Sequence, residues 1–362
     1  MRRRVAIIGG GIFGVSAAAE LAGDFEVTLF ERRGGLLEEA TYANQYRHHY
    51  YGYHYPRSDD TVEQCRVSRK DFDDMWGESV VQSPSYYCVA KEGSKTSVAE
   101  MLDFCRRHDL PYEVSNPPTG FISPESVAIS LKTPEPVFDY ALLKQMVFAR
   151  LNDAGVNIEL NSRVANGRLG AGGEKIFQID RSGKLTEGAY DYAVNATYAN
   201  LNVFCRWFNF PAREMELRLK ELPVIRIPTE ELLSVTVMDG PFVTMVPIGR
   251  SGLFTLGDVP RSVREVRFSS GGEPWTVRDM EKLSSRWQEM FKANKRFIPI
   301  LEDAEYIKSM WSILPVKPRS DATDTRPTEI IEHGLGCWSV FSGKIISCAT
   351  AAKELKRKIL IK

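Results

Sequence analysis

The sequence predicts an α/β fold in which a helix-covered parallel sheet is interleaved with an α+β domain built on an antiparallel sheet. A unit of strand, glycine turn, helix and strand occupies residues 5–31, and similar patterns return in residues 139–197 and 337–359. Residues 222–268 consist instead of β-branched and aromatic runs separated by Pro and Gly. The first pattern is typical of parallel sheets covered by helices, and the second is typical of antiparallel sheets.

The unit near the start of the chain has the spacing of a dinucleotide-binding fold. Residues 5–8 form an apolar strand, residues 15–22 a helix of small and apolar residues, and residues 26–30 a second strand that ends at Glu31. The turn between the first strand and the helix fits G-x-G-x-x-G and consists of Gly9, Gly10, Gly11, Ile12, Phe13 and Gly14. This combination predicts a Rossmann-like domain that binds FAD or NAD(P).

Each part of the turn has a physical role in such a site. Gly9 permits the tight turn, Gly11 allows the backbone to approach a pyrophosphate, and Gly14 lets the helix lie close to the strand. The first N–H groups of the helix and their partial positive charge favour phosphate. Glu31, twenty residues beyond Gly11, can accept hydrogen bonds from a ribose hydroxyl.

The composition argues against several other classes of protein. A chain of 362 residues that is 43% hydrophobic can form two domains with a buried core. Lysine plus arginine equals aspartate plus glutamate at 47 each, so no nucleic-acid or anionic-membrane partner is expected. No apolar stretch is long enough for a membrane span. The arginines at 2–4 precede only four apolar residues, so we expect no leader and a cytoplasmic location.

The cysteines indicate neither a metal site nor a disulfide framework, because none forms a C-x-x-C pair. We expect buried, reduced thiols at Cys65, Cys88, Cys105, Cys205, Cys337 and Cys348. No second G-x-G-x-x-G occurs, so an architecture with two nucleotide-binding units is not expected. The predicted nucleotide-binding domain is discontinuous and comprises residues 1–79, 137–205 and 300–362. The predicted substrate domain comprises residues 80–136 and 206–299.

Among the finer elements, we predict a strand over residues 80–90 and helices over residues 97–108, 139–154 and 275–292. Three bulky side chains in the C-terminal part are expected in the core: Trp311, Trp338 and Phe341.

The chain resembles the flavin-dependent amino-acid and hydroxy-acid oxidoreductases of the D-amino-acid oxidase type. The likeness covers nearly the full length, in four places: residues 5–33, 139–164, 192–197 and 342–345. It implies FAD as cofactor. It also implies that the cofactor-binding residues are Gly9, Gly11, Ile12, Phe13, Gly14, Glu31, Arg32, Val164, Ala196, Thr197, Gly343, Lys344 and Ile345.

Two branches of that superfamily are the most similar in detail. The loop at residues 49–58 resembles L-2-hydroxyglutarate oxidases, and Gly343-Lys344 is similar to the Gly-Lys of glycerol-3-phosphate dehydrogenases. One departure is Leu314-Pro315, where relatives often carry Arg-Pro. That difference puts the usual carboxylate-binding arginine in doubt.

The segment of residues 45–58 concentrates polar chemistry, with three of the five histidines, two arginines and five tyrosines. In a flavoenzyme this loop runs toward the isoalloxazine, where His49 or His54 could accept a substrate proton. Arg47 or Arg57 could hold a substrate carboxylate. The alternative is an aromatic loop packed over the cofactor, with its histidines hydrogen-bonded to backbone.

Lys344 follows a strand and a glycine at the start of a helix, which is an unfavourable place for a cation. Near the flavin, it would stabilise negative charge that develops on the cofactor during reduction. The catalytic candidates are therefore His49, His54, Arg57 and Lys344.

The function predicted is oxidation of a small hydroxy acid or amine, with an electron acceptor that the sequence does not specify. One alternative is a non-redox flavin-dependent isomerase of the UDP-galactopyranose mutase type. Residues 49–54 partly resemble the aromatic segment with His and Gly of that family. Another is a protein that only binds NAD(P) or a flavin.

Overall fold

The structure is a computed structural model that describes residues 2–269, 280, 282–319 and 326–361. Within these residues the strands are, in chain order, β1 (Arg4–Ile8), β2 (Glu26–Phe30), β3 (Val80–Val81), β4 (Ser85–Ala90), β5 (Glu113–Val114), β6 (Val127–Thr133), β7 (Val137–Phe138), β8 (Asn157–Glu159), β9 (Arg163–Leu169), β10 (Lys175–Arg181), β11 (Lys184–Tyr190), β12 (Tyr192–Asn195), β13 (Met215–Arg226), β14 (Ser234–Met238), β15 (Val243–Pro247), β16 (Phe254–Asp258), β17 (Val263–Ser269), β18 (Glu305–Val316), β19 (Glu329–Gly334) and β20 (Cys337–Phe341). The α-helices are α1 (Ile12–Leu21), α2 (Asp59–Trp76), α3 (Val98–Arg107), α4 (Tyr140–Asp153), α5 (Leu201–Trp207), α6 (Val259–Ser262), α7 (Trp287–Asn294) and α8 (Cys348–Leu360).

The first sheet has the strand order β19-β20-β12-β1-β2-β8 over the part of the chain that is described. All of its pairs are parallel except β19 with β20. The chain leaves β1 for β2 on one side and returns to β12 on the other, so the strand order reverses beside β1. In such sheets, ligands bind at this switch point, beyond the carboxyl ends of the strands. The prediction of a parallel, helix-covered sheet is confirmed.

Apolar faces of α1, α2, α4 and α8 contribute to one hydrophobic cluster with this sheet. The helix α1 is almost wholly buried, since its small residues allow it to lie against the strands. Trp76 at the end of α2 is fully buried, and its indole N–H donates to Ser16 Oγ of α1 over 3.0 Å. This bond satisfies the one polar atom of a large buried side chain.

The second sheet has the order β17-β13-β16-β15-β14-β4-β6-β5, with β18 paired to β13. Its pairs are antiparallel apart from β14 with β4, so the antiparallel sheet predicted for residues 222–268 is present. The predicted domain boundaries remain a prediction. They assign residues 300–316 to the nucleotide-binding domain, yet β18 is hydrogen-bonded along its length to β13 of the second sheet.

The helices predicted over residues 97–108 and 139–154 are present as α3 and α4, whereas two other predicted elements differ from the structure. Ser97 caps α3 in a capping box with Glu100, and Asp139 caps α4 by accepting from two backbone N–H groups. The strand predicted over residues 80–90 is interrupted, because Pro84 separates β3 from β4. The helix predicted over residues 275–292 lies partly outside the described residues, and within them α7 begins only at Trp287.

The sequence did not predict the three-stranded sheet β9-β10-β11. Its outer strands are largely exposed and polar, so they lack the apolar runs that identify a strand. The six cysteines are buried, free thiols, as expected. No helix of the described residues is long and apolar enough to cross a membrane.

Candidate active site

A cavity of about 600 Å³ is lined by residues of both large sheets. The carboxyl ends of β1, β2 and β12 contribute to it, as do β13, β18 and the segment between β20 and α8. The residues that line it include Gly9, Gly11, Ile12, Phe13, Glu31, Arg32, Arg47, His49, Val164, Ala196, Thr197, Trp311, Gly343, Lys344 and Ile345. The cavity therefore lies at the switch point of the parallel sheet and extends to the second sheet.

The glycine turn after β1 leaves open space only where a ligand is expected. Gly9 has φ +110°, and a Cβ there would lie 2.6 Å from the carbonyl oxygen of Ala196. A Cβ on Gly14 would collide with the carbonyl oxygen of Gly9, so Gly14 serves the packing of α1 and does not line the cavity. At Gly11, in contrast, the nearest atom is Thr41 Oγ1 at 3.7 Å. The turn thus offers a bare backbone to a pyrophosphate, as the motif requires.

The carboxylate of Glu31 is held by the turn that it faces. Oε2 accepts from the N–H of Gly10 and Oε1 accepts from the N–H of Arg33, both over 2.8 Å. Burial raises the pKa of Glu31, while these two hydrogen bonds oppose the rise. A carboxylate has about four acceptor positions, so it retains capacity for a ribose hydroxyl. Arg32 also lines the cavity and is paired with Glu39 over 2.7 Å.

A hydrogen-bond network fixes the segment that follows β12. The buried Asn195 donates from Nδ2 to the carbonyl of Leu201 over 3.0 Å and to Ser339 Oγ over 2.9 Å. Its Oδ1 accepts from both the N–H and the hydroxyl of Thr197. Ala196 and Thr197 are therefore held against the glycine turn. Val164, the other residue expected at the nucleotide end, lines the same cavity.

The three histidines of the loop occupy different environments. His49 lines the cavity, with its backbone in the left-handed region at φ +61°. The His54 ring centroid lies 5.9 Å from that of His49, but His54 does not line the cavity. His48 is fully buried with its ring edge-on to Phe72, 4.3 Å between centroids. Only His49 is thus placed to contact a bound ligand directly.

The rings of His49 and His54 make no hydrogen bond to any described residue, and their Nδ1 atoms are buried. Burial lowers the pKa of both histidines well below the usual value, and the positive charge of Lys344 contributes in both cases. The histidines are therefore uncharged at neutral pH. The alternative prediction, in which backbone groups hold these histidines by hydrogen bonds, does not describe their environment.

The two arginines of the loop differ in what surrounds them. Arg47 is buried and lines the cavity, and it donates to three hydroxyl oxygens at 2.5–2.8 Å, those of Tyr87, Thr236 and Thr244. No carboxylate of the described residues lies within 4 Å of it. Arg57 instead forms an ion pair with Asp239 and does not line the cavity. The geometry therefore does not bring Arg57, one of the predicted catalytic residues, to the site.

The segment between β20 and α8 brings Lys344 to the cavity. A Cβ on Gly343 would collide with the carbonyl oxygen of Arg326, so only glycine fits before the lysine. Lys344 Nζ lies 4.3 Å from the centroid of the Tyr55 ring, a cation–π contact. Burial and the nearby Arg47 lower the pKa of Lys344 to about 7. Gly343 and Ile345 line the cavity beside it, as the resemblance implied.

Sequence reasoning missed several parts of the site. Trp311, predicted to lie in the core, instead lines the cavity from β18 of the second sheet. Trp338 and Phe341 are core residues, as expected. The hydroxyls around Arg47 come from three strands that are distant in sequence. The only sequence signal for this part of the site was an arginine followed by two histidines.

Comparison with known proteins identifies the family. The family model described as "FAD dependent oxidoreductase", the DAO family, matches residues 4–355. Among curated proteins, the chain is 27% identical over 358 residues to the FAD-dependent monooxygenase FPY4 of Fusarium mangiferae, covering 94% of this chain and 86% of that protein.

Among solved structures, L-α-glycerophosphate oxidase from Mycoplasma pneumoniae with FAD bound superposes with a TM-score of 0.77 at 16% identity, covering 99% of this chain and 95% of that one. Glycine oxidase from Geobacillus kaustophilus gives a TM-score of 0.72 at 16% identity, covering 98% and 95%. These matches confirm the fold, and none of them supports the isomerase alternative. The chain belongs to the DAO family of FAD-dependent oxidoreductases.

Proposed function

We propose that this FAD-dependent oxidoreductase oxidises a small hydroxy acid or amine, with His49 as the proton acceptor. The observation that carries the proposal is the uncharged His49 ring, which lines the cavity beside Lys344 without a hydrogen bond to the described residues. When bound, FAD supplies the group that accepts a hydride from the substrate carbon. The remaining steps are performed by side chains of this protein.

The residues that would hold FAD line one continuous cavity. Its open backbone at Gly11 and its fixed carboxylate at Glu31 fit a pyrophosphate and a ribose, respectively. The residues that would bind the cofactor are Gly9, Gly11, Ile12, Phe13, Glu31, Arg32, Val164, Ala196, Thr197, Gly343, Lys344 and Ile345. Gly14 would act indirectly, by allowing α1 to approach the strand.

Proton transfer at His49 follows from its charge state. A substrate hydroxyl or ammonium must lose a proton as hydride leaves the carbon, and a neutral imidazole within the cavity can accept it. The low pKa of His49 makes it a weaker base than free imidazole, but it keeps the acceptor form fully populated at neutral pH. His54 lies behind His49 and stays the second candidate for this role.

Two cations of the site, Arg47 and Lys344, would stabilise negative charge on the substrate and on the cofactor, respectively. Arg47 is the candidate for holding a substrate carboxylate, because its buried guanidinium donates to hydroxyls and forms no ion pair within 4 Å with the described residues. Glu135 interacts with it only at longer range, and a substrate carboxylate would supply a direct counter-charge. Lys344 would stabilise negative charge that develops on the cofactor. We further propose a cytoplasmic location, which the six buried free thiols support.

The test is anaerobic mixing of the FAD-loaded protein with a panel of hydroxy acids and amines, with flavin absorbance recorded in a stopped-flow instrument. We expect bleaching by at least one compound of the panel. If no compound of the panel bleaches the flavin, the proposed substrate class is wrong.

His49→Ala and His54→Ala then assign the proton acceptor with the substrate so identified. General base catalysis typically contributes ~100-fold to 10,000-fold, so His49→Ala should slow bleaching by at least ~100-fold. His54→Ala is the matched control and should slow it less. If both variants bleach at the wild-type rate, His49 is not the base.

A further inference from the structure

A buried carboxyl group outside the cavity supports the loop that carries His49. Glu135 lies between β6 and β7, is fully buried, and is flanked by Pro134 and Pro136. The two prolines restrict the backbone on either side of it. An ionisable side chain in such a place is unusual unless its hydrogen bonds perform a structural or functional task.

The Glu135 carboxylate accepts a hydrogen bond from the backbone that follows His49. Oε2 accepts from the N–H of Tyr51 over 3.1 Å, and the backbone of Tyr50 also acts to lower the pKa of Glu135. The Glu135 carbonyl is itself fixed, because Ser85 Oγ donates to it over 2.8 Å. The carboxylate therefore provides an acceptor for the loop N–H two residues after His49.

The residues after Glu135 continue this support along the strand. The carbonyl of Pro136 accepts from the N–H of His48 over 3.2 Å, and Phe138 N–H donates to the carbonyl of Tyr46 over 2.9 Å. Val137 forms an isolated bridge with Arg47. The segment of residues 135–138 thus pairs with residues 46–51. Backbone groups form this pairing up to His48, and the Glu135 side chain continues it at Tyr51.

The turn needs this acceptor because His49 adopts a conformation that histidine does not favour. Its φ of +61° lies in the left-handed region, and Tyr46 has a similar φ of +54°. The N–H of Tyr51, two residues after this turn, donates to the Glu135 side chain and not to a strand. Without that partner, a partly buried N–H group would oppose the turn, and the imidazole would leave its place on the cavity.

The charges around Glu135 favour an anion at this position. Arg47 and Arg69 act on it with positive charge, and Arg69 Nε also donates to the carbonyl of Tyr50 over 2.8 Å. The other titratable groups that it influences are neutral: Tyr53, Tyr87 and Cys65. Burial raises the pKa of Glu135 to about 7 against these effects.

We propose that Glu135 is a positioning residue, whose carboxylate fixes the left-handed turn that presents His49 to the substrate. The inference rests on the proposed role of His49 as proton acceptor. Glu135 itself does not line the cavity, so it acts only through the loop. Its removal should therefore affect proton transfer more than binding of substrate or cofactor.

The test is a double-mutant cycle of Glu135→Ala with His49→Ala, read as the rate constant of flavin reduction at saturating substrate. A misplaced catalytic group can cost ~100-fold, so we expect Glu135→Ala to slow reduction by about that factor. In the His49→Ala background the same change should cost less than ~2-fold, because a residue that acts through His49 has nothing left to position. The substrate dissociation constant from the same traces should change little.

Two further variants separate positioning from general damage. Glu135→Gln keeps an acceptor oxygen for the loop N–H groups and should restore most of the rate. Glu221→Ala is the matched control. Glu221 is an equally buried carboxyl of the second sheet, and it is bonded to Arg264, Ser285 and Ser309 and not to the loop. We expect it to lower Tm without any rate effect that depends on His49.

A measurement without turnover completes the test. In protein labelled with ¹⁵N-histidine, Glu135→Ala should move the His49 ring resonances and leave those of the distant His108 and His333 in place. If His49→Ala slows reduction but Glu135→Ala does not, the positioning role is wrong and the proposed function stands. If no substrate bleaches the wild type, the proposed function fails, and the resonance shift alone decides whether Glu135 orients His49. Equal rate losses from Glu135→Ala with and without His49 would show a merely structural role.

Discussion

Gly11→Ala should abolish FAD binding while leaving the fold of the apoprotein unchanged. Gly11 is the N-cap of α1, with φ −75° and ψ 174°, a region open to any residue. A Cβ there would meet only Thr41 Oγ1 at 3.7 Å, so the protein itself has room for it. The added methyl group would instead occupy the cavity space where a pyrophosphate approaches the backbone.

The expected change in the free energy of unfolding is small. Gly-to-Ala substitution at a compatible position stabilises by about 0.4–1 kcal/mol through the unfolded state. Alanine is also a poorer N-cap than glycine, by about 1 kcal/mol or less. The two effects nearly cancel, and because 1 kcal/mol moves Tm by roughly 2–4 °C in domains of 150–250 residues, the apoprotein Tm should change by no more than about 3 °C.

The neighbouring glycines are the matched controls. Gly14→Ala would drive a Cβ into the carbonyl oxygen of Gly9, and Gly9→Ala would place one 2.6 Å from the carbonyl oxygen of Ala196 at φ +110°. Both clashes are with backbone, so α1, the glycine turn or the segment after β12 must shift. We therefore expect these two variants to lower the Tm of the apoprotein itself, in contrast to Gly11→Ala.

The assay is thermal unfolding of apoprotein with and without FAD, together with quenching of flavin fluorescence on binding. FAD at 100 times its Kd should stabilise the wild type by about 2.7 kcal/mol. Gly11→Ala should lose this upward shift in Tm and the fluorescence change. If Gly11→Ala lowers the apoprotein Tm by about 10 °C, the Cβ position of Gly11 is not open space. If the variant responds to FAD as the wild type does, that position is not where the pyrophosphate binds.

Three other predictions concern the cations of the site. Arg47→Lys should raise KM for a carboxylate substrate by about 10-fold to 100-fold, the range expected for a lost charge-assisted hydrogen bond. The control Arg57→Lys should change KM by less than about 2-fold. Equal effects of the two variants would contradict the assignment to Arg47. The rate of flavin reduction should fall as the pH rises through about 7, since Lys344 then loses its charge, and this inflection should be absent in Lys344→Met and Lys344→Arg. The folded-state pKa of Lys344 lies below its ordinary value of 10.5, so its charged form lowers the free energy of unfolding below pH 7. Urea unfolding should therefore show the wild type gaining stability relative to Lys344→Met between pH 7 and 10.5. A stability difference that stays constant over this range would show that Lys344 is not desolvated.

Local features of the chain were predictable because their cause lies within a few residues. The glycine turn, the helices α3 and α4 and the acid after β2 each depend on backbone geometry over one short segment. Strand and helix positions of the parallel sheet follow from the same local patterns. The polar sheet β9-β10-β11 was missed because exposed strands leave no apolar periodicity in the sequence.

The roles within the loop of residues 45–58 could not be predicted from its composition. Arg47 and Arg57 are equivalent in sequence, but Asp239, far along the chain, neutralises only Arg57. The hydroxyls that surround Arg47 also come from distant strands. Which arginine lacks a direct ion pair with the described residues is therefore a property of the assembled second sheet.

The fold class, the dinucleotide site and the family resemblance follow from the sequence alone, because a glycine turn between two buried strands admits few other structures. The presence of His49 in the cavity, and not of His48 or His54, follows from packing between distant parts of the chain. It depends on a left-handed turn, and an acceptor for the N–H of Tyr51 after that turn comes from Glu135, more than eighty residues away in the chain. Side-chain orientation is set by such long-range contacts, which no local pattern in the sequence records.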